Sequence, residues 1–137
     1  MPIKIKSKNK KTNESNIFNQ IKPYIKGVVI GDLFFTIGVI ISSLIIYKTD
    51  IDSTFVYIIP LIFVFVGAFF CAVNVQKKVG GRGFLTGILS SLPFIVSVLL
   101  FVGIILGFKI GVNTLIVVPI SILGGFTGGI AAVNKRI

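Results

Sequence analysis

The sequence predicts an all-α, polytopic membrane protein with four transmembrane helices. Hydrophobic residues make up 54% of the 137 residues, charged residues only 13%, and the mean hydropathy is +1.01. A chain of this length buries only about two-thirds of its unfolded surface on folding, so a water-soluble domain would need many more polar residues. The charged residues also avoid the apolar stretches and gather between them. This placement explains the net charge of +10 without a nucleic-acid partner.

Four apolar stretches are candidates for membrane spans: residues 27–46, 55–75, 84–108 and 114–133. Each has about 20 residues or more, and ~20 residues at 1.5 Å per residue match a hydrocarbon core of ~30 Å. A spanning segment must satisfy its own backbone hydrogen bonds, either as a helix or as part of a closed barrel. Barrel strands are about half as long and alternate in polarity, so these stretches predict helices.

The segment before the first span is polar. Residues 1–22 are rich in Lys and Asn and predict a basic, mobile cytoplasmic tail, followed by a transmembrane domain over residues 23–137. The lysines of such a tail either lie on the anionic lipids of the inner leaflet or act only as a topology signal. The first apolar stretch is too long for a signal peptide and lacks a small-residue cleavage site, so we expect it to be retained.

Basic residues near the ends of the spans predict the orientation. All but Lys48 and Lys109 of the 14 Lys and Arg residues lie before the first span, between the second and third, or after the fourth. Because basic residues favour the cytoplasmic side, we expect a protein of the cell membrane with both termini in the cytoplasm. The residues expected to set the topology and to contact lipid are Lys26, Lys77, Lys78, Arg82, Lys135 and Arg136.

Residue types that carry catalysis or bind metals are scarce. The sequence has no histidine, one cysteine and four acidic residues. Cys71 lies within an apolar span, where a thiol shielded from water is unreactive. Glu14 lies in the tail, and Asp50 and Asp52 follow the first span, so no two carboxylates share an intramembrane cavity. We therefore expect no enzyme activity, no metal and no cofactor.

Asp32 is the one ionisable residue inside a predicted span. A charge at the centre of a bilayer costs about 2.5–3.5 kcal/mol on the insertion scale, so such residues are candidates for functional sites. Counted along the helix from Lys26, Asp32 lies about 9 Å deep, short of the midplane at ~15 Å. Thr36, one turn on, is spaced to hydrogen-bond the carboxylate. Two interpretations follow: a structural pair with a basic residue of the loop between spans two and three, or a binding site for a proton or cation.

Glycines four residues apart recur in three of the four spans. Such spacing puts two small residues on one helix face, so that another helix backbone can approach closely. This matters in lipid, where no hydrophobic effect drives helices together. The spacing predicts helix packing, either within the chain or against another copy or another membrane protein. The pairs are Gly27 with Gly31, Gly83 with Gly87, Gly103 with Gly107, Gly124 with Gly128, and Gly125 with Gly129.

The two halves of the chain resemble each other. A basic residue followed by a glycine pair begins spans one and three. Spans two and four each contain a proline and end with Ala-Val-Asn, at residues 72–74 and 132–134. These matches predict two tandem helical hairpins in the same orientation, although chance is an alternative in segments so rich in Gly and Ile. In this alignment Ile88 takes the place of Asp32.

Three glycine-rich motifs resemble a known family. Residues 67–74 read GAFFCAVN, residues 77–87 read KKVGGRGFLTG, and residues 124–129 read GGFTGG. The motifs are similar to those of the YrzE-like family of small four-span membrane proteins of Gram-positive bacteria, and the match extends in outline from residue 22 to the C-terminus. Residues 91–93 depart from the glycine and aromatic residue that the family usually has there. The resemblance implies a plasma-membrane location and a four-helix fold, and it implies no activity.

Two classes of function are open. In the first, which needs no polar pathway and which we favour, the protein is a small structural or accessory subunit that packs against other membrane helices through its glycine faces. In the second, it is a small oligomeric transporter or channel that uses Asp32. Small multidrug transporters are of similar length, but their carboxylate lies near the midplane and their charge bias is weak. The expected partners are the lipid bilayer, a second copy of the chain or another membrane protein.

Overall fold

The computed structural model describes residues 2–109 and 111–135. This part of the chain forms four helices, namely α1 (Pro2–Lys48), α2 (Ser53–Val79), α3 (Gly83–Leu106) and α4 (Val112–Asn134). The described residues contain no strand, so the predicted all-α fold is confirmed. Each helix contains a segment long and apolar enough to cross a membrane, namely Glu14–Lys48, Ser53–Val79, Gly83–Ile105 and Thr114–Asn134. The chain is a multi-pass membrane protein.

Helix α1 is much longer than the predicted first span. It has 47 residues, or about 70 Å at 1.5 Å per residue. The mobile tail predicted for residues 1–22 is instead, from Pro2 onward, a continuation of this helix. Lysine is a good helix former and proline is tolerated in a first turn, and the asparagines, which are weaker helix formers, do not stop the helix. Residues 14–20 are all exposed, so the polar part of α1 extends beyond the bundle.

Helix α3 is shorter than predicted. The third span was expected over residues 84–108, but the helix stops at Leu106. Gly107 has a left-handed backbone with φ of 70°, and the N–H groups of Gly107 and Phe108 both donate to the carbonyl oxygen of Gly103. This is a common way for glycine to end a helix. Hydropathy did not reveal the stop, because Phe108 continues the apolar run.

The helices form a bundle with α2 and α3 in the middle. Each of these two contacts all three other helices, whereas α1 and α4 do not touch each other within the described residues. Helices α1 and α4 therefore lie at opposite ends of the cross-section. Large apolar side chains such as Leu33, Ile40 and Ile104 remain exposed, as in helices that face lipid. The hydrophobic core consists of Phe35, Val64, Ala68, Cys71, Val75, Phe94 and Val98.

Close contact between α1 and α2 depends on glycine. A β-carbon at Gly31 would lie 2.9 Å from the carbonyl oxygen of Gly67, and one at Gly27 would lie 3.0 Å from that of Cys71. Real β-carbons almost never come so close to backbone atoms, so the helices approach this far only because the side chains are missing. The face formed by Gly27 and Gly31 is thus occupied by a helix of the same chain.

Helix α4 presents glycine to two neighbours at once. Toward α3, a β-carbon at Gly125 would lie 2.6 Å from the carbonyl oxygen of Gly87. Toward α2, a β-carbon at Gly124 would lie 2.6 Å from the carbonyl oxygen of Phe65. Successive helical residues point about 100° apart, so adjacent glycines serve both contacts. The buried glycines of these contacts are Gly83, Gly87, Gly124, Gly125, Gly128 and Gly129.

One predicted glycine pair does not pack two helices. Gly107 lies beyond α3 and is exposed, and a β-carbon there would meet nothing within 4 Å. A β-carbon at Gly103 would lie 2.8 Å from the ring of Phe108, in the turn that follows the helix. Within the chain, Gly103 and Gly107 therefore form the end of α3 instead of a contact between helices, and packing of this pair against another copy or another membrane protein stays a prediction.

The two hairpins, α1 with α2 and α3 with α4, repeat one set of contacts. In each, the first glycine of the odd-numbered helix faces a valine side chain and a backbone carbonyl of the partner. The contacts are Gly27 with Val75 and Cys71, and Gly83 with Val133 and Gly129. These contacts make Val75 the counterpart of Val133. The alignment of the Ala-Val-Asn motifs instead makes Val73 the counterpart, two positions earlier. The symmetry is incomplete, because α2 contacts α3 whereas α1 and α4 are apart in the described residues.

Candidate functional site

The carboxylate of Asp32 is held by a residue of another helix. The hydroxyl of Ser97, on α3, donates a hydrogen bond of 2.5 Å to Oδ2 of Asp32. Both side chains are half-buried. The hydroxyl of Thr36 donates instead to the backbone carbonyl oxygen of Asp32, at 2.8 Å. The predicted bond from Thr36 to the carboxylate was wrong, because a helical threonine readily bonds the carbonyl four residues before it.

This carboxylate lies near the middle of the bundle. Its partner Ser97 is just past the midpoint of α3, a helix of 24 residues. The depth estimated from the sequence placed Asp32 nearer the expected cytoplasmic end, because the estimate took Lys26 as the membrane boundary. The next residue, Gly27, packs against Val75 and Cys71, about 6 and 12 Å before the end of α2. Helix α1 is thus shifted relative to α2, and Asp32 lies nearer the middle of the bundle than its distance from Lys26 indicates.

Distance excludes an ion pair between Asp32 and the basic loop. Arg82 caps the N-terminus of α3, about 22 Å along the axis from Ser97. Lys77 and Lys78 lie in the last turn of α2, about 15 Å beyond the level of Asp32. Long basic side chains in membranes reach outward to the interface and not toward the centre. The structural ion pair is therefore wrong, and the carboxylate has a neutral hydroxyl as its partner.

A cavity of about 570 Å³ lies beside Asp32, between α1 and α3. Its walls come from these two helices alone, so it opens at the side of the bundle and not along its axis. Asp32, Ser97 and Tyr24 contribute its polar side chains. The remaining walls, which include Val28 and Pro93, are apolar. The cavity therefore offers one carboxylate and two hydroxyl-bearing side chains within an apolar groove.

The chemistry of this site follows from the charge of Asp32. An ionised carboxylate at mid-depth costs about 2.5–3.5 kcal/mol of insertion free energy, and one hydroxyl donor offsets only part of it. A proton on the carboxyl group removes the charge, and a bound cation balances it. The arrangement is therefore suited to exchange between a proton and a cation.

The basic residues define one end of the bundle. Lys26 enters the membrane part of α1, Lys77 and Lys78 end α2, Arg82 caps α3 and Lys135 caps α4, and all five are exposed. Lys48 ends α1 and Lys109 follows α3, both at the opposite end of the bundle, and the other six lysines of the sequence precede Lys26. Arg136 lies outside the described residues. The charge asymmetry of the sequence is thus an asymmetry between the two ends of the bundle.

The sequence analysis did not predict two polar contacts between helices. One is the bond from Ser97 to Asp32, and the other runs from the buried thiol of Cys71 to the carbonyl oxygen of Ser90, at 3.6 Å. The sequence offers several serines in span three and no sign of which one faces α1. Among the described residues, no three His, Cys, Asp or Glu side chains are grouped as metal ligands.

Comparisons with known proteins agree with the expectation of a family without an assigned activity. The model of DUF3792, described as a protein of unknown function, matches residues 20–132. This match does not confirm the YrzE-like name. No curated protein and no solved structure matches the chain. Because the match covers most of the chain and reaches all four spanning helices, this protein belongs to the DUF3792 family.

Proposed function

We propose that the protein is a small transporter that binds an organic cation at Asp32. The supporting observation is the position of this carboxylate, near mid-depth and beside a cavity of about 570 Å³. A carboxylate in this setting gains most from a ligand that carries a positive charge. The apolar walls favour a cation with apolar substituents over a hydrated metal ion, which would lose its water shell there.

Proton exchange supplies a simple coupling mechanism. With no ligand bound, a proton on the carboxyl group keeps the site neutral, and the Ser97 hydroxyl orients the group. When a monovalent cation enters, the proton leaves to water and the carboxylate pairs with the ligand. The site is neutral in both states, so neither state carries the cost of an unbalanced charge. Each cation moved in one direction would be matched by one proton moved in the other.

The side opening of the cavity favours an oligomer. Helix α1 contacts α2 and α3 but not α4 in the described part of the chain, so one flank of α1 has no protein neighbour. Leu33, Ile37 and Leu44 are exposed there. A second copy against α1 would close the cavity from the lipid and bring a second carboxylate to the same pathway.

The accessory subunit favoured by the sequence receives less support. Its binding surface was to be the glycine faces of spans one, three and four. Apart from Gly103 and Gly107, the glycines of these faces contact helices of the same chain, with Gly31 against α2 and Gly87 against α4. A partner helix would have to displace one of the chain's own helices to use them.

Reconstitution in liposomes tests the transporter. Uptake of radiolabelled tetraphenylphosphonium, driven by an acidic interior, should be seen with the native chain and should fall to the level of empty liposomes with Asp32→Asn. Asp52→Asn makes the same change at an exposed carboxylate outside the spans and should leave uptake unchanged. Equal uptake by Asp32→Asn and the native chain, or no proton-driven uptake by the native chain, would refute the proposal.

A further inference from the structure

A second groove lies between α1 and α2 at the basic end of the bundle. It has a volume of about 250 Å³, and its polar side chains are Lys26 of α1 and Asn74 and Lys78 of α2. Asp32 and Ser97 do not line it. The groove shares Ile25 and Val29 with the cavity between α1 and α3 but holds a different set of polar side chains.

The glycine contact between the helices creates this groove. Gly27 brings the backbone of α1 to within van der Waals distance of α2 at Cys71. On α2, Asn74 and Lys78 are four residues apart and share one face. On α1, Lys26 precedes this glycine and so lies beside the point of closest approach. The two ammonium groups thus belong to opposite walls of one narrow groove.

The polar end of the groove has the donors that a phosphate diester needs. Lysine carries three N–H donors and one positive charge. The side-chain nitrogen of Asn74 donates one hydrogen to the carbonyl oxygen of Phe70, at 2.8 Å, and keeps a second for another acceptor. Lys78 is one residue from the end of α2, which is where a headgroup lies relative to a spanning helix.

The rest of the groove is apolar, with Val29 and Ile30 on the side of Lys26 that faces the middle of the bundle. Ile25, Val29 and Ile30 line it, and the side chains of Ile25 and Val29 are 52% and 59% exposed. A free phosphate ion would gain nothing from these walls, whereas an acyl chain attached to the phosphate would lie along them. Charge and shape together select an amphipathic anion.

We infer that this groove binds one anionic glycerophospholipid from the leaflet at the basic end, which is the cytoplasmic leaflet in the orientation expected from the positive charges. The phosphate lies between Lys26 and Lys78 and accepts from Asn74. An acyl chain follows Val29. The lipid fills the gap left on one side of the close contact at Gly27 and so joins α1 to α2.

Native mass spectrometry of the detergent-solubilised chain tests the site. Titration with phosphatidylglycerol should show one tightly bound lipid per chain, and phosphatidylcholine with the same acyl chains should bind more weakly. The double variant Lys26→Gln, Lys78→Gln should weaken binding of the first phosphatidylglycerol by about 30-fold, if each lysine contributes as it does near an anionic surface. The double variant Lys26→Arg, Lys78→Arg should retain binding and shows that the changes at these positions are tolerated.

The control removes two charges from the same end of the bundle but outside the groove. The double variant Arg82→Gln, Lys135→Gln should bind phosphatidylglycerol as the native chain does, because neither residue lines the groove. An equal loss in this variant would show that only the overall charge matters, and would overturn the site. Equal binding of phosphatidylcholine, or binding of glycerol phosphate as tight as that of the lipid, would overturn it too. Circular dichroism of each variant verifies its helix content.

Discussion

The two hairpins of the bundle share their glycine contacts and differ in the residue that follows them. Gly31 and Gly87 each lie against a backbone carbonyl of the partner helix. The next residue is Asp32 in the first hairpin and Ile88 in the second. The same packing is thus built once with a carboxylate and once without, so Asp32 is not needed to form a hairpin.

This difference separates the role of the glycines from that of the carboxylate. The glycines allow the helices to approach in both hairpins, and more closely in the second, where a β-carbon at Gly87 would lie nearer to a backbone oxygen than the 2.9 Å found at Gly31. The carboxylate opposes insertion, because a charge at this depth costs about 2.5–3.5 kcal/mol. A residue that costs stability and is not required by the packing is best explained by function. The difference between the two hairpins can be tested by substitutions at the glycines, at Asp32 and Ile88, and at Ser97.

Filling the glycine contacts should have the largest effect. Gly31→Leu and Gly87→Leu place a large side chain where even a β-carbon would lie within 3.0 Å of a backbone oxygen. Backbone atoms cannot move aside easily, so each change should lower the free energy of unfolding by about 3 kcal/mol or more. Unfolding in mixed micelles, followed by circular dichroism, measures this. Gly111→Leu is the control, because its β-position meets nothing within 4 Å. Tolerance of one change and not the other would show that the two contacts are not equivalent.

Exchanging the residues after the glycines should have the next largest effect. Asp32→Ile gives the first span the residue of the third, and should make its membrane insertion more favourable by at most about 2.5–3.5 kcal/mol, because Asp32 is not at the centre of the separate span. Ile88→Asp should make insertion of the third span less favourable by a similar amount. Glycosylation-based insertion assays on the separate spans measure both changes. No gain from Asp32→Ile would mean that the carboxylate carries no cost, and the argument from cost would fail.

Removal of the Ser97 hydroxyl should have the smallest effect. Ser97→Ala deletes the donor to Asp32 and should lower the free energy of unfolding by about 1 kcal/mol. Ser43→Ala, at an exposed position of α1, should change it much less. A double-mutant cycle with Asp32→Asn isolates the interaction, since contacting residues give non-additive effects. Strict additivity of the two changes would show that the hydroxyl and the carboxylate are not coupled.

The class and number of the helices were predictable because lipid leaves few options. A long apolar stretch must be a helix when no water is present to satisfy its backbone. The ends of the helices were less predictable. A polar, Lys-rich segment can be either helical or irregular, and here it is helical, so α1 extends back to Pro2. Helix α3 ends within an apolar run, because of the local turn at Gly107.

The candidate site was predictable only in part. Asp32 stands out because it is charged within an apolar span. Its partner depends on how far α1 is shifted and rotated relative to α3, which no single-helix pattern specifies. Ser90, Ser91 and Ser97 are equally plausible in the sequence, and the bundle brings the last of them to the carboxylate. The level of Asp32 in the bundle was also misjudged, because the contact at Gly27 sets the position of α1 relative to α2 and no pattern in the sequence specifies it.

The buried thiol of Cys71 gives the chain an internal reporter of its own motion. Its side chain is 0% exposed and it is the single cysteine of the sequence. A membrane-permeant maleimide can reach the sulfur only while α2 separates from its neighbours. The labelling rate of the native chain therefore measures how often the bundle opens transiently, without an engineered tag. Any ligand that holds the helices together will lower this rate.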